Sequence, residues 1–263
     1  MPTPDQITRA YQGAVERLRR DTVSAVESLW YNLPNYRDAD IARFKSVAIP
    51  TVQGALSQMA ALTAGYQSQV LREVDLNVPM VMLPREQIGA PRAVDPNVVY
   101  QRPATVLYTS LSRGSTMTTA VVAGFDRLRS LVQTDLQLVK VAQSDLSLSR
   151  GGVTLYKRRL TGLENCDLCS IASTNTYSVG NLMPIHNGCD CTVEAIQVGG
   201  RPSQTVDLNL ADKTHGHIAE LEAVADDGGS AAAYRELTEV SEHGEIGPYL
   251  RWRSDNFTGP DDL

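Results

Sequence analysis

The feature that most constrains this chain is the placement of its cysteines. All four of the chain's 263 residues that are cysteine fall between residues 166 and 191, as Cys166-x2-Cys169 and Cys189-x-Cys191, with His186 three residues before the second pair. Two short chelating pairs from separate turns are an economical source of the four ligands a tetrahedral structural zinc site requires. Cys166-x2-Cys169 has the spacing of a knuckle. The second half of such a site is either His186 with Cys189 or Cys189 with Cys191. Alternate residues on a regular strand point to opposite faces, which favours His186 with one cysteine unless a turn intervenes, and Gly188 offers a turn. The predicted ligands are therefore Cys166, Cys169, His186 and Cys189, with Cys191 as the substitute fourth. Few large apolar side chains surround the cluster, so a metal would supply stability that the segment's own core does not.

Disulfides and inert buried thiols compete with this reading. The N-terminal stretch MPTPDQITRAYQGAVERLRR has no apolar stretch of the signal-peptide kind, which leads to the expectation of a reducing compartment, where clustered cysteines hold metal more often than they pair. A catalytic metal is disfavoured, because there is no H-E-x-x-H and the zinc-deaminase combination of H-x-E with P-C-x-x-C is absent. His215-Gly-His217 lies apart from the cluster.

Before the cluster the chain reads as helical. Ile7, Tyr11, Ala14, Leu18, Ala25 and Leu29 recur at helical steps over 5–30, with a gap at Thr22. Pro34 and Asn35 break the pattern. A second helix spans about 38–74 on Ile41, Phe44, Ala48, Val52, Ala55, Met59, Leu62 and Tyr66, with Pro50 predicting a kink or two abutting helices. Residues 76–103 are punctuated by Pro79, Pro84, Pro91, Pro96 and Pro103 and show no period, so they are expected to be irregular and free to thread along a neighbouring subunit. Helices return at 104–112 and about 116–147, the latter on Val121, Phe125, Leu128, Val132, Leu136, Val139 and Leu146, capped by Ser115 or Thr116.

Gly151-Gly152 divides this helical domain, 1–150, from a module of short strands over 153–200 that carries the cysteines. Strands are predicted at Thr176–Val179 and Thr192–Ile196, with a turn at Gly180-Asn181. A helical segment follows at 201–240, with helices at about 208–224 and 231–240, and then an extended C-terminal arm, 241–263. The fold class is α+β.

Charge narrows the function classes. A net charge of −6 disfavours a general nucleic-acid coat, because phosphate binding draws on excess Lys and Arg. The local basic runs Arg17-x-Arg19-Arg20 and Lys157-Arg158-Arg159 read as a solvated helix face and a strand flank. No apolar run reaches the length of a membrane helix, so no membrane partner is expected.

The segment Tyr156–Arg159, Cys166-Asp-Leu-Cys169, Tyr177, Gly180, Leu182, Pro184-Ile-His186, Cys189-Asp-Cys191 and Val193–Ile196 resembles the C-terminal region of Mu F-like head morphogenesis proteins of tailed bacteriophages. P-x-H-x-x-C-x-C is its most specific part. The family commonly has arginine between the last two cysteines, where this chain has Asp190. His243-Gly-Glu-Ile-Gly-Pro248 and Phe257-Thr-Gly-Pro260 resemble the C-termini of such proteins from actinobacterial phages. The likeness covers the C-terminal part of the chain; the helical half is only compatible with it.

The resemblance implies a minor head protein of the virion, assembled in the host cytoplasm near portal, scaffold and major capsid protein, and near packaged DNA. Relatives of this type are often labelled capsid maturation proteases. This sequence has no G-x-S-x-G elbow, and a His186–Cys189 thiol pair would have to act amid further thiols. No catalytic residue is assigned. The leading expectation is a non-enzymatic head protein docked through a zinc-stapled module. The alternatives are a maturation protease, and a nucleic-acid module built on the knuckle and Lys157–Arg159.

Overall fold

A computed structural model describes residues 3–73, 76, 80–160, 167–173, 176–186, 189, 191–196 and 238–253. Three long helices and a shorter fourth dominate them, with two small antiparallel sheets.

Helix α1 spans Pro4–Tyr31. Thr3 accepts the Gln6 backbone amide while the Gln6 side chain accepts that of Thr3, so two otherwise orphaned N–H groups are satisfied. Its buried line is Ile7, Tyr11, Val15, Thr22, Val26 and Trp30. The face is thus turned slightly from the predicted one, with Ala14, Leu18, Ala25 and Leu29 at its half-buried margin. Thr22, the expected gap, is part of that face and donates its hydroxyl to Leu18 O at 2.6 Å, which removes the cost of burying it.

Helix α2, Asp38–Arg72, runs through Pro50 as a single helix rather than two. Its predicted stripe is buried except for half-buried Leu62. Helix α5, Arg102–Ser112, and helix α6, Met117–Arg150, complete the bundle, and Thr116 caps α6 by accepting from Thr119 N. Gly124 of α6 lets Trp30 of α1 approach: a Cβ there would lie 2.5 Å from Trp30 Cζ2 and 2.9 Å from Pro103 O. Trp30, fully buried, donates its indole N–H to Val121 O at 3.0 Å.

Between α2 and α5, the stretch expected to be irregular contains two short helices, α3 (Arg85–Gly89) and α4 (Pro96–Val99). Each starts immediately after or at a proline. Proline is tolerated in the first helical turn, where its missing N–H removes no bond, so the same residues that erased the periodicity also start these turns. The stretch folds against its own chain. Gln143 of α6 accepts from Leu83 N at 2.9 Å and donates to Val81 O at 2.8 Å, and Gln53 of α2 donates to Gly89 O at 3.0 Å.

After α6 the chain turns at Gly151 and Gly152, the latter at φ +69. Strand β1 (Leu155–Arg159) is central in a sheet of order β2-β1-β3, with β2 Thr176–Ser178 and β3 Thr192–Ala195, both antiparallel to it. Helix α7, Asp167–Ala172, lies between β1 and β2. Tyr156 pairs with Tyr177 and their rings stack at 5.7 Å. Tyr156, Met183, Ile185 and Val193 form one apolar cluster with Leu71 of α2 and Leu138, Val141 and Leu148 of α6.

The C-terminal region differs from expectation. Thr238–His243 (β4) and Gly247–Trp252 (β5) form a hairpin, where 238–240 was expected to end a helix and 241 onward to be an extended arm. Gly247, at φ +71, supplies the left-handed residue that lets a three-residue loop reverse the chain. The hairpin is anchored through Ile185, whose N–H donates to Pro248 O at 3.2 Å and whose carbonyl accepts from Leu250 N at 2.8 Å. Pro248 thereby uses the one hydrogen-bonding group it has. The helix expected at 208–224, most of that at 231–240, and the tail from 254 on lie outside the described residues.

Candidate metal centre

Strand alternation builds the site. On β1, Tyr156 and Arg158 share one side, so the strand that carries Tyr156 into the apolar cluster carries Arg158 inward as well. Cys169 comes from α7. Cys189 and Cys191 precede β3, and the Cys189 backbone donates to His186 O at 3.1 Å. That turn keeps residues 189 and 191 out of regular strand geometry, so the alternation that would send them to opposite faces does not apply. Both thiols enter one cluster.

The sulfurs of Cys169, Cys189 and Cys191 lie within 4.8 Å of one another, and all three residues are buried. The Cys169 and Cys189 sulfurs are 3.7 Å apart, and His186 Nε2 is 2.8 Å from Cys169 Sγ. Zinc–sulfur bonds of about 2.3 Å arranged tetrahedrally place sulfurs about 3.8 Å apart, so a small contraction of this cluster would close around one ion. Cys166, the other predicted ligand, lies outside the described residues. Cys191, expected only as a substitute, is inside the cluster.

Two polar side chains point at the sulfurs. Arg158 Nη1 is 3.5 Å from Cys169 Sγ and 3.3 Å from Cys189 Sγ, and Nη2 donates to Pro184 O. Gln137 of α6 directs Nε2 to Cys189 Sγ at 3.7 Å and to Cys191 O at 3.3 Å. Arg158 is fully buried. The solvated strand flank expected at Lys157–Arg159 is therefore corrected: Lys157 is also buried, and Arg159 pairs with Asp5 of α1 at 2.9 Å. The alternation of β1 carried this signal for Arg158. Nothing in the sequence of α6 singled out Gln137.

The electrostatics favour a sulfur anion at Cys189. Hydrogen bonds from Cys169 and Cys191 hold the Cys189 thiol well below its usual range against the cost of burial, and Arg158 and His186 add to this. For Cys191, a hydrogen bond with Cys169 favours the thiolate, but donation to Cys189 together with burial outweighs it and keeps the proton on. Burial opposes the charge on Arg158, and the sulfurs of Cys189, Cys191 and Cys169 more than offset it, so the guanidinium is held more firmly protonated than usual. An ion that displaced the remaining thiol protons would meet ligands already partly in their binding form.

A soft, thiolate-preferring cation fits this donor set. As a hydrolytic pair, His186 and Cys189 are poorly placed: both are buried, and each contacts another thiol of the cluster. His215-Gly-His217 lies outside the described residues.

No family model matches the chain, and comparisons with curated proteins and with solved structures return no match. Among the described residues, no helix is long and apolar enough to cross a membrane.

Proposed function

We propose that this chain is a non-enzymatic minor head protein of a tailed bacteriophage, in which a zinc-stapled module presents a docking surface during head assembly. The observation that carries this reading is the coincidence of two residue sets. The P-x-H-x-x-C-x-C segment that resembles Mu F-like proteins, Pro184 through Cys191, supplies Cys189 and Cys191 to the buried three-cysteine cluster and sets His186 against Cys169 at its edge. In this reading zinc is held by Cys169, Cys189 and Cys191 with His186 or Cys166 as the fourth ligand, and acts structurally, tying α7 to the turn before β3. A closed set of four protein ligands leaves no position for water or substrate. The partners are the portal, scaffold and major capsid proteins, with packaged DNA adjacent, and the site of action is the head interior near the portal, reached from the host cytoplasm.

The protease alternative has one observation in its favour, the thiolate character of Cys189 beside His186. Burial of both residues and the neighbouring thiols weigh against it. The nucleic-acid alternative loses its basic run, because Arg158 faces sulfur and Arg159 is paired with carboxylates.

The test is assembly of heads from the encoding phage's head proteins with this chain tagged, followed by mass spectrometry of purified particles. The intact chain at a few copies per particle is expected, with unchanged capsid-protein processing in the His186→Ala, Cys189→Ala double variant. Absence of the chain from particles would overturn the head assignment, and loss of capsid cleavage in that variant would favour the protease.

A further inference from the structure

We infer that Arg158 is the built-in counter-ion of the metal centre, and that its single buried charge selects a ligand set of three thiolates and one neutral imidazole. This rests on the cluster binding a divalent ion, as proposed above. It adds which ligands carry charge and which residue balances them.

The argument begins with an unusual placement. Arginine is almost never fully buried unless its charge is paired. Arg158 is fully buried, yet among the described residues no carboxylate forms a salt bridge with it. Its Nη groups go to two cysteine sulfurs and to Pro184 O, and its Nε is buried without a hydrogen-bond partner. Among the described residues, the anions on offer to it are the sulfurs. A guanidinium left unbalanced in such a place is strongly destabilising, so the charge of the cluster has to complement it.

That requirement distinguishes the possible centres. A divalent ion with four thiolates carries two net negative charges and leaves one uncompensated beside Arg158. With two thiolates and two neutral ligands the ion is neutral and leaves the guanidinium itself unpaired. With three thiolates and neutral His186 the centre carries one negative charge, which Arg158 cancels. Cys169, Cys189 and Cys191 are the three sulfurs already together, and His186 Nε2 adjoins Cys169. The same arginine also positions the ligands: through Pro184 O it grips the segment two residues before His186, while its other nitrogen spans Cys169 and Cys189. Arg158 is thus a positioning residue, acting through the sulfurs and the His186 loop.

The test uses the full chain, stripped of metal and titrated with Co(II) and Zn(II) against a competing chelator. Arg158→Met is expected to weaken binding by about 10–100-fold, the usual consequence of losing an outer partner of a metal ligand. Its sulfur-to-cobalt charge-transfer band is expected to move to lower energy, because sulfur lone pairs lose their N–H donors. Arg158→Lys, which restores the charge, is expected to recover most of the affinity. Equal affinity and an unmoved band in Arg158→Met would overturn the inference. X-ray absorption on the zinc-loaded unmodified chain gives an answer that does not depend on any variant folding. Three sulfurs at about 2.3 Å and one nitrogen at about 2.0 Å are expected. Four sulfurs would overturn the charge-balance argument while leaving the metal reading intact. Failure of the unmodified chain to bind either ion would overturn the metal reading itself.

Discussion

Helix α6 serves two regions held together by different physics. One side packs with α1, α2 and α5, where Trp30, Phe44, Leu128, Leu131 and Val132 are almost completely buried and the contacts are apolar. Elsewhere along its buried middle it presents polar side chains, three of which answer non-helical segments. Asp135 receives Arg92 Nε at 2.6 Å and Tyr100 OH at 2.8 Å, Gln137 reaches the cysteine cluster, and Gln143 holds the backbone at 81–83. The bundle is stabilised by area removed from water, which is tolerant of detail. The module and the loops are attached by buried polar groups, which stabilise only when every partner is present. The comparison teaches that the helices of this chain could survive damage that dismantles the rest.

The largest effect expected from this difference is loss of the module alone. Cys189→Ser removes the sulfur that meets Cys169, Arg158 and Gln137. Structural zinc contributes roughly 10–16 kcal/mol of binding free energy to small modules, far more than their own core supplies. Limited proteolysis is expected to open residues 155–196 while circular dichroism retains the helical signal. Unchanged protease resistance across that span would show that the apolar cluster around Tyr156 suffices.

Asp135→Asn is the next largest, at about 3 kcal/mol, because it leaves the buried Arg92 guanidinium with only its longer 3.7 Å contact to Glu245. The side chains of Arg92 and Asp135 are 5% and 3% exposed. Denaturant unfolding followed by helical signal reads it, and a loss below about 1 kcal/mol, typical of exposed pairs, would mean the network is not a buried one. Gly124→Ala tests the apolar side: a methyl 2.5 Å from Trp30 Cζ2 forces repacking, for an expected loss of about 1–3 kcal/mol on the same transition, with metal content unchanged. A neutral result would show that Trp30 can yield.

The smallest effect is pH-dependent. Glu245, in the β4–β5 turn, pairs with Arg102, which holds its carboxyl below the usual glutamate range, with help from Arg92. A lowered carboxylate contributes stability above its unfolded value, about 4.3, and loses it as the pH falls through the folded value. Hydrogen-exchange protection over 238–252, normalised to the intrinsic rate at each pH, is expected to fall as the pH is lowered through that window, and to be low throughout in Glu245→Gln. A hairpin equally protected at both ends of the window would mean the Ile185 bridge holds it alone.

The long helices were legible because their apolar positions repeat over many turns; on α2 and α6 the predicted faces are the buried ones, and on α1 the face is turned by a fraction of a step. The cysteine cluster was legible from spacing, although a parity argument gave Cys191 only a reserve place, and the turn that brings it in depends on a hydrogen bond from Cys189 to His186. What could not be read were features that exist only between distant segments. Asp135 and Gln137 look like solvent-facing positions until the loop with Arg92 and the strand with Arg158 lie against them. The hairpin at 238–252 was obscured because its strands are half-buried and mostly polar, with Pro248 tolerated at an edge where only its carbonyl is used.

The most direct measurement is metal content of the purified full chain by elemental analysis, with thiols titrated before and after denaturation in chelator. The account predicts about one zinc per chain, with Cys169, Cys189 and Cys191 unreactive until chelator and denaturant release them. No metal, with all four thiols freely reactive in the folded chain, would contradict it and return the Cys189–His186 pair to consideration as a reactive site.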